Sequence, residues 1–278
     1  MGKQEKLKSS NWRRFIRNLV PTFAAQAVHP VELERHNDLI IDVGAHQGSD
    51  TDFYLRKGFR VVAIEANPDL AEKLSKRFEE AIHSERLVVL PFGIHEEQGS
   101  FTFYQNLDKD DWSSFKFDIG TRDNTRYRER TVHCICFDEV LQSYGIPYYL
   151  KIDIEGHDYH VLKALLRLRA VPVYVSVESH DLEYLAYLRT LGYNRFKIIN
   201  QYKNWYVKCP EPAREGKYVD MQFDGHASGP FGEETPGEWK GFQETAYEYL
   251  HTRMGFPDRH TLGEGWYDFH AKMEPRKA

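Results

Sequence analysis

Apolar residues recur along the chain in short blocks separated by amphipathic stretches. Asp38 to Val43 is a brief apolar run closed by Gly44, and Arg60 to Ile64 is a second one that begins two residues after Gly58. Ser49 to Lys57 between them has a helix-forming composition. Strand, helix and strand therefore follow one another over about 30 residues, the length of a βαβ unit, whose right-handed crossover makes its two strands parallel. The pattern repeats. Asp69 to Ala81 predicts a helix with Leu70, Leu74 and Phe78 on one face, and Arg86 to Leu90 predicts a third strand.

Further along, Ser100 to Tyr104 and Thr131 to Cys136 predict strands on either side of a polar insertion, Gln105 to Arg130. Tyr149 to Ile154 predicts a strand, Tyr159 to Leu168 a helix, Val171 to Val177 a strand, and Asp181 to Leu191 a helix with an acidic cap. Phe196 to Ile199 and Trp205 to Val207 predict a closing hairpin. From Pro210 onward prolines and glycines alternate with aromatic residues, and only a helix near Phe242 to Arg253 is expected. The alternation of strands and helices predicts a doubly wound, mainly parallel α/β sheet. Three parts follow: a basic arm over 1–37, a core over 38–208, and an aromatic segment over 209–278.

Composition narrows this picture. With 278 residues and a net charge of −5, one α/β domain with appended segments is expected. No stretch of about 18 uncharged apolar residues exists, which excludes a membrane-spanning helix. Residues 1–18 hold +5 and the remainder −10, so the arm suits an anionic surface while the body lacks the basic footprint of a nucleic-acid binder. Arg17 and Pro21 interrupt what would otherwise be the core of a secretory signal. Cys134, Cys136 and Cys209 cannot all pair, which favours a reducing compartment and a cytoplasmic location. Residues 193–278 hold 16 of the 39 aromatic side chains, so this segment is expected to pack on the sheet.

The run Ile40-Ile41-Asp42-Val43-Gly44-Ala45-His46-Gln47-Gly48 ends a predicted strand and opens a helix, the place where open α/β sheets hold ligands. Glu65 closes the next strand about 20 residues on, the spacing at which an acidic side chain meets ribose hydroxyls. A dinucleotide site needs a glycine where His46 stands, so that backbone can approach a pyrophosphate, and no triphosphate-cradling run is present. S-adenosylmethionine has a ribose and no phosphate, and its ammonium suits an acidic residue such as Asp42. A bare strand-to-helix turn without ligand is the plain alternative for Gly44 and Gly48.

Lys151-Ile152-Asp153-Ile154-Glu155-Gly156 places Lys151, Asp153 and Glu155 at alternate positions, which would turn all three to one face of a strand. Glu178 and His180 close the following strand, so an acid–base constellation forms at one sheet edge if the two strands are neighbours. A structural salt-bridge cluster is the alternative.

Taken together, the segments Ile41 to Gly48, Val61 to Pro68 and Leu150 to Gly156, with Val161-Leu162 beyond, resemble the FkbM family of S-adenosylmethionine-dependent methyltransferases over roughly residues 38–200. The resemblance implies a class I methyltransferase fold, a seven-stranded sheet with one antiparallel strand near an edge. It implies methyl transfer to oxygen on a small molecule such as a sugar or polyketide hydroxyl. By position, Asp42, Gly44 and Gly48 would line the methionine end, and His46 in the same turn would also touch the cofactor. Glu65 would hold the ribose, with Ala66 and Asn67 after it also counted in the cofactor site, Phe92, Gly93 and Ile94 would border the adenine, and Asp153 would lie beside the reacting centre. Ala66 departs from the family's usual proline.

Methyl transfer from a sulfonium is an in-line displacement, so positioning and water exclusion carry most of the catalysis. An acceptor hydroxyl still loses a proton, which His180, Glu178, Glu155 or Asp153 would receive. A divalent cation held by Asp153, Glu178 and His180 ranks below this direct route, and no metal is assigned. Of the remaining histidines, His133, His157, His160 and His226 show no ligand-like pairing, and only His46 lies in the cofactor turn. Gly225 to Gly232 reads equally as a lid or as a surface loop. A nicotinamide-dependent oxidoreductase and a non-catalytic nucleoside-binding module are the rival functions. The sequence leaves the acceptor and the oligomeric state open.

Overall fold

The computed structural model describes residues 32–253 and 265–274, so most of the basic arm lies outside the described residues. In chain order the elements are β1 (Arg35–Val43), α1 (Ser49–Arg56), β2 (Arg60–Ile64), α2 (Pro68–Arg77), α3 (Glu79–His83), β3 (Leu87–Leu90), β4 (Gly93–Ile94), β5 (Gly99–Asn106), α4 (Phe117–Gly120), β6 (Tyr127–Ile135), α5 (Phe137–Tyr144), β7 (Ile146–Ile152), α6 (Asp158–Leu165), β8 (Tyr174–Glu178), α7 (Leu182–Thr190), β9 (Arg195–Asn200), α8 (Phe242–Arg253) and β10 (Tyr267–Lys272).

The main sheet has seven strands in the order β3-β2-β1-β7-β8-β10-β9. Only β10 runs antiparallel, against both β8 and β9. This is the expected class I arrangement, with its antiparallel strand one place in from the edge. The chain steps outward from β1 to β3 and then returns to the other side of β1 at β7. The crevice at the C-terminal ends of β1 and β7 is therefore the topological switch point of the sheet. A second, three-stranded sheet, β4-β6-β5, is built from the strands around the polar insertion.

Strands buried on both faces explain the unbroken apolar runs. On one face Ile41, Val43, Leu150, Ile152 and Val175 meet Leu141, Val161, Leu162, Leu165 and Leu185 of the helices. On the other, Ile40, Val61, Ala63 and Tyr149 meet Phe53, Tyr54 and Leu74 together with Phe223 and Phe231. Phe231 stacks on Tyr149 with ring centroids 4.6 Å apart. The aromatic C-terminal segment thus completes one face of the core.

Four expectations need correction. The single helix over Asp69 to Ala81 breaks at Phe78 into α2 and α3; Asn67 caps α2 by accepting from the Asp69 amide. No hairpin forms between Phe196–Ile199 and Trp205–Val207, because β9 pairs with β10 instead and Gln201–Tyr206 is a 3-10 turn. Regular structure after Pro210 includes β10, whose alternation of Tyr267, Phe269 and Ala271 with Asp268, His270 and Lys272 carries the period of a strand. Finally, α5 fills a stretch for which no element was expected.

Candidate active site

The turn after β1 is shaped by close approach. Gly44 has φ +84°, and a Cβ there would lie 1.8 Å from the Asp153 carbonyl oxygen. Only glycine lets the ends of β1 and β7 come this near. At Gly48, φ +82°, a Cβ would press on Leu74 and Phe78 at 2.6 Å, so this glycine seats α1 against α2.

Glu65 closes β2 and faces a cavity of about 710 Å3. Its Oε2 accepts from the His46 amide and its Oε1 from the Asn67 amide, both at 2.7 Å. Burial pushes its pKa up, and the two amide N–H groups pull against that rise. The carboxylate is fixed in orientation while each oxygen keeps a lone pair for a ligand. His46 lies in the left-handed region, φ 50°, and its ring turns across the crevice to meet Asp110 Oδ1 at 3.0 Å.

Gly44, His46, Glu65, Ala66, Phe92, Gly93, Ile94, Asp153, Glu155 and Glu178 line this one cavity. Asp42, Gly48, Asn67 and His180 do not; His180 reaches the site only through Glu178. Asp42 is fully buried beneath the floor, where Thr51 Oγ1 donates to it at 2.7 Å and Lys151 Nζ stands 3.4 Å away. Its proposed contact with a cofactor ammonium is therefore corrected: the carboxylate is occupied in holding Lys151. Gly48 and Asn67 act as helix caps.

The Lys151, Asp153 and Glu155 alternation also needs correction. β7 ends at Ile152, and Glu155 adopts φ 50°, so the strand period stops before it. Lys151 donates to the Gly44 carbonyl at 2.8 Å and lies 3.6 Å from Asp153 and 3.8 Å from Asp50. Burial alone would lower the lysine, but the charges of Asp42, Asp153 and Asp50 outweigh it and hold Lys151 above the usual range. Glu155 instead turns to Arg122, which donates to both its oxygens at 3.0 and 3.3 Å.

β7 and β8 are parallel neighbours, so the acid–base constellation does assemble. His180 Nε2 lies 2.8 Å from Glu178 Oε2. Burial disfavours the imidazolium, yet the hydrogen bond and charge of Glu178, with Asp158 and Glu155, prevail and raise His180 to about 9. Burial followed by the charges of Glu178 and Asp153 pushes Glu155 up to about 8.

Sequence reasoning missed Asp268, which comes from β10 directly opposite Glu178 and is also part of the cavity wall. It missed Arg122 and Trp112 from the polar insertion, where Arg122 lies 4.2 Å over the Trp112 ring. The Gly225 to Ser228 backbone forms another part of the wall. It is anchored there because the buried carboxylate of Asp50 accepts the Ser228 amide at 2.8 Å. Eight carboxylates line the cavity (Glu65, Asp108, Asp110, Asp111, Asp153, Glu155, Glu178, Asp268) against the cations Lys109, Arg122 and Lys151. Such a surplus attracts a cationic ligand and repels a pyrophosphate.

Residues 42–198 match the model of the methyltransferase FkbM domain, more than half of the chain. The chain belongs to the FkbM methyltransferase family. An FkbM methyltransferase depends on S-adenosylmethionine, as the family implies, and the cavity residues fit that cofactor through the anchored Glu65 and the acidic wall. Among relatives, the hexuronic acid methyltransferase AglP of Haloferax volcanii is 26% identical over 152 residues, 54% of this chain and 59% of that protein. The aligned region thus spans less than two thirds of that relative's length. Solved structures with a similar course of chain include a precorrin-6y C5,15-methyltransferase from Geobacter metallireducens, with 12% identity, 87% and 82% coverage and a TM-score of 0.38. An S-adenosylmethionine-dependent methyltransferase from Archaeoglobus fulgidus shows 13% identity, 96% and 93% coverage and a TM-score of 0.37. Among the described residues, no helix of this FkbM protein is long and apolar enough to cross a membrane.

Proposed function

We propose that this methyltransferase transfers its methyl group to a hydroxyl oxygen of a sugar, with a uronic acid as the first acceptor class to try. The observation that carries the reading is the presence of Asp153 and Glu178, the latter backed by His180, on the same cavity as Glu65, so that a proton acceptor and a ribose-holding carboxylate share one chamber. The relative's hexuronic acid activity supports the sugar. So does the cavity mouth, where Tyr202 and Trp266 stand with ring centroids 5.2 Å apart and both exposed. Such rings stack on the C–H faces of a sugar. Lys109 and Arg122 on Trp112 supply positive charge for a carboxylate.

S-adenosylmethionine would supply an electrophilic methyl on a sulfonium, with its ribose at Glu65, its adenine beside Phe92, Gly93 and Ile94, and its amino-acid end near Gly44 and Asp153. The protein's own task is to orient the acceptor, exclude water and take one proton. His180 already holds a proton at neutral pH, given its rise to about 9. Asp153, whose side chain is 41% exposed toward the cavity, is therefore the base, and Lys151 fixes its position.

Incubation with S-adenosylmethionine and glucuronic or galacturonic acid glycosides, followed by mass spectrometry, tests the proposal. An alkali-stable methyl ether is expected. An alkali-labile ester would move the acceptor from hydroxyl to carboxylate, and a methylated amine with no sugar product would overturn the reading.

A further inference from the structure

We propose that Glu155, Glu178 and His180 form a binding site for a divalent first-row metal ion at the C-terminal edge of β7 and β8. One donor atom from each of the three lies within 4.8 Å of the others, the only such group of three among the described residues. Glu155 and Glu178 face the cavity, so an ion there has open positions for water or for an acceptor oxygen. The donor set differs from the one suggested by sequence: Asp153 is drawn to Lys151, and Glu155 takes its place.

Asp268 provides the second, independent observation. It is 94% buried by its 6% exposure, lines the same cavity, and makes no hydrogen bond or ion pair to the described residues. Its register partner on β8 is Glu178, so two carboxylates stand side by side on one face of an antiparallel pair. Like charges opposed in this way are destabilising unless something positive lies between or beside them. Arg122 answers Glu155 and the His180 imidazole answers Glu178, whereas at Asp268 burial and the charges of Asp153 and Glu178 outweigh that of Lys151 and push its carboxyl well up. A dication held by the neighbouring triad displaces the His180 proton and supplies more positive charge than the imidazolium it replaces. Asp268 then acts as a positioning residue, accepting from ion-bound water.

One imidazole nitrogen with two carboxylates suits Mn2+ or Zn2+ better than Ca2+, which prefers an all-oxygen shell. The catalytic role rests on the hydroxyl-transfer reading above. An ion there would draw electron density from the acceptor oxygen; as that oxygen bonds the methyl carbon and the methyl–sulfur bond breaks to release neutral S-adenosylhomocysteine, the O–H proton would pass to the Asp153 carboxylate. The binding itself does not depend on that reading.

The test is calorimetric titration of the full chain, stripped with chelator and dialysed, with MnCl2 and separately with ZnCl2, and with S-adenosylhomocysteine as the control for an intact fold. One saturable Mn2+ or Zn2+ site is expected, weakened at least about tenfold in the Glu155→Gln/Glu178→Gln double variant, with S-adenosylhomocysteine affinity retained. Paramagnetic resonance of the Mn2+-loaded protein should show nitrogen coupling that His180→Gln removes. Absent Mn2+ and Zn2+ binding, or binding equal in the double variant, overturns the metal site. If S-adenosylhomocysteine still binds in that case, the methyltransferase reading stands. Full methyl transfer by the chelated enzyme likewise overturns the catalytic role.

Discussion

At the scale of single residues, the pair Glu178 and His180 carries a pH signature. The imidazole's pKa is raised from its ordinary 6.5 to about 9 in the fold. Its stabilisation is therefore complete below about pH 6.5 and is lost as the pH rises through about 9. Unfolding free energies measured by urea titration from pH 6 to pH 10 should fall across that window in the wild type, by an amount on the order of 1–3 kcal/mol. His180→Gln should remove this segment of the curve; an unchanged slope in the variant would refute the pairing. Gly44 makes a second prediction. Gly44→Ala places a methyl 1.8 Å from the Asp153 carbonyl, so the ends of β1 and β7 must part. The variant should lose about 1–3 kcal/mol of stability and bind S-adenosylhomocysteine poorly, and ordinary binding would show that the crevice does not need this approach. Residues such as Gly44 and Glu65 were legible in sequence because a local turn and a fixed spacing announce them. Asp42 was misplaced because a strand-end aspartate looks the same whether it faces a ligand or, as here, a buried lysine.

Among elements, the parallel strands and their helices stood out in sequence, since each is a short apolar block or an amphipathic repeat. The failures have a common cause. β9 could pair with a nearby segment or with a distant one, and local pattern favoured the nearby Trp205 to Val207. The true partner, β10, lies across a long connection, and it brings Asp268 beside Glu178. Arg122 likewise reaches Glu155 from an insertion whose polar composition gave no hint of its target. The C-terminal segment also builds the core. Phe231 is fully buried, stacks on Tyr149, and meets Tyr54 edge-on at 5.6 Å. Phe231→Ala should cost about 3–5 kcal/mol in urea unfolding, and a loss below about 1 kcal/mol would mean that this segment is not part of the cooperative core.

Across the whole molecule, the order of strands creates the crevice, and the charge on its wall selects what enters. The return of the chain from β3 to β7 opens a gap beside β1 at the C-terminal end of the sheet. Into it project an anchored carboxylate from β2, a lysine-bound aspartate beyond β7 and an acidic pair from β8 and β10. The glycine turn that in other α/β proteins accommodates a pyrophosphate is occupied by His46, linked to Asp110. A phosphate-free, cationic nucleoside, the cofactor the family implies, fits this chamber. Calorimetric titration of the wild type and of Glu65→Gln with S-adenosylmethionine, alongside NAD, tests this most directly. The account predicts one saturable site for S-adenosylmethionine, weakened about tenfold or more in the variant, and no heat with NAD. Heat with NAD, or equal affinity of wild type and variant for S-adenosylmethionine, would contradict it.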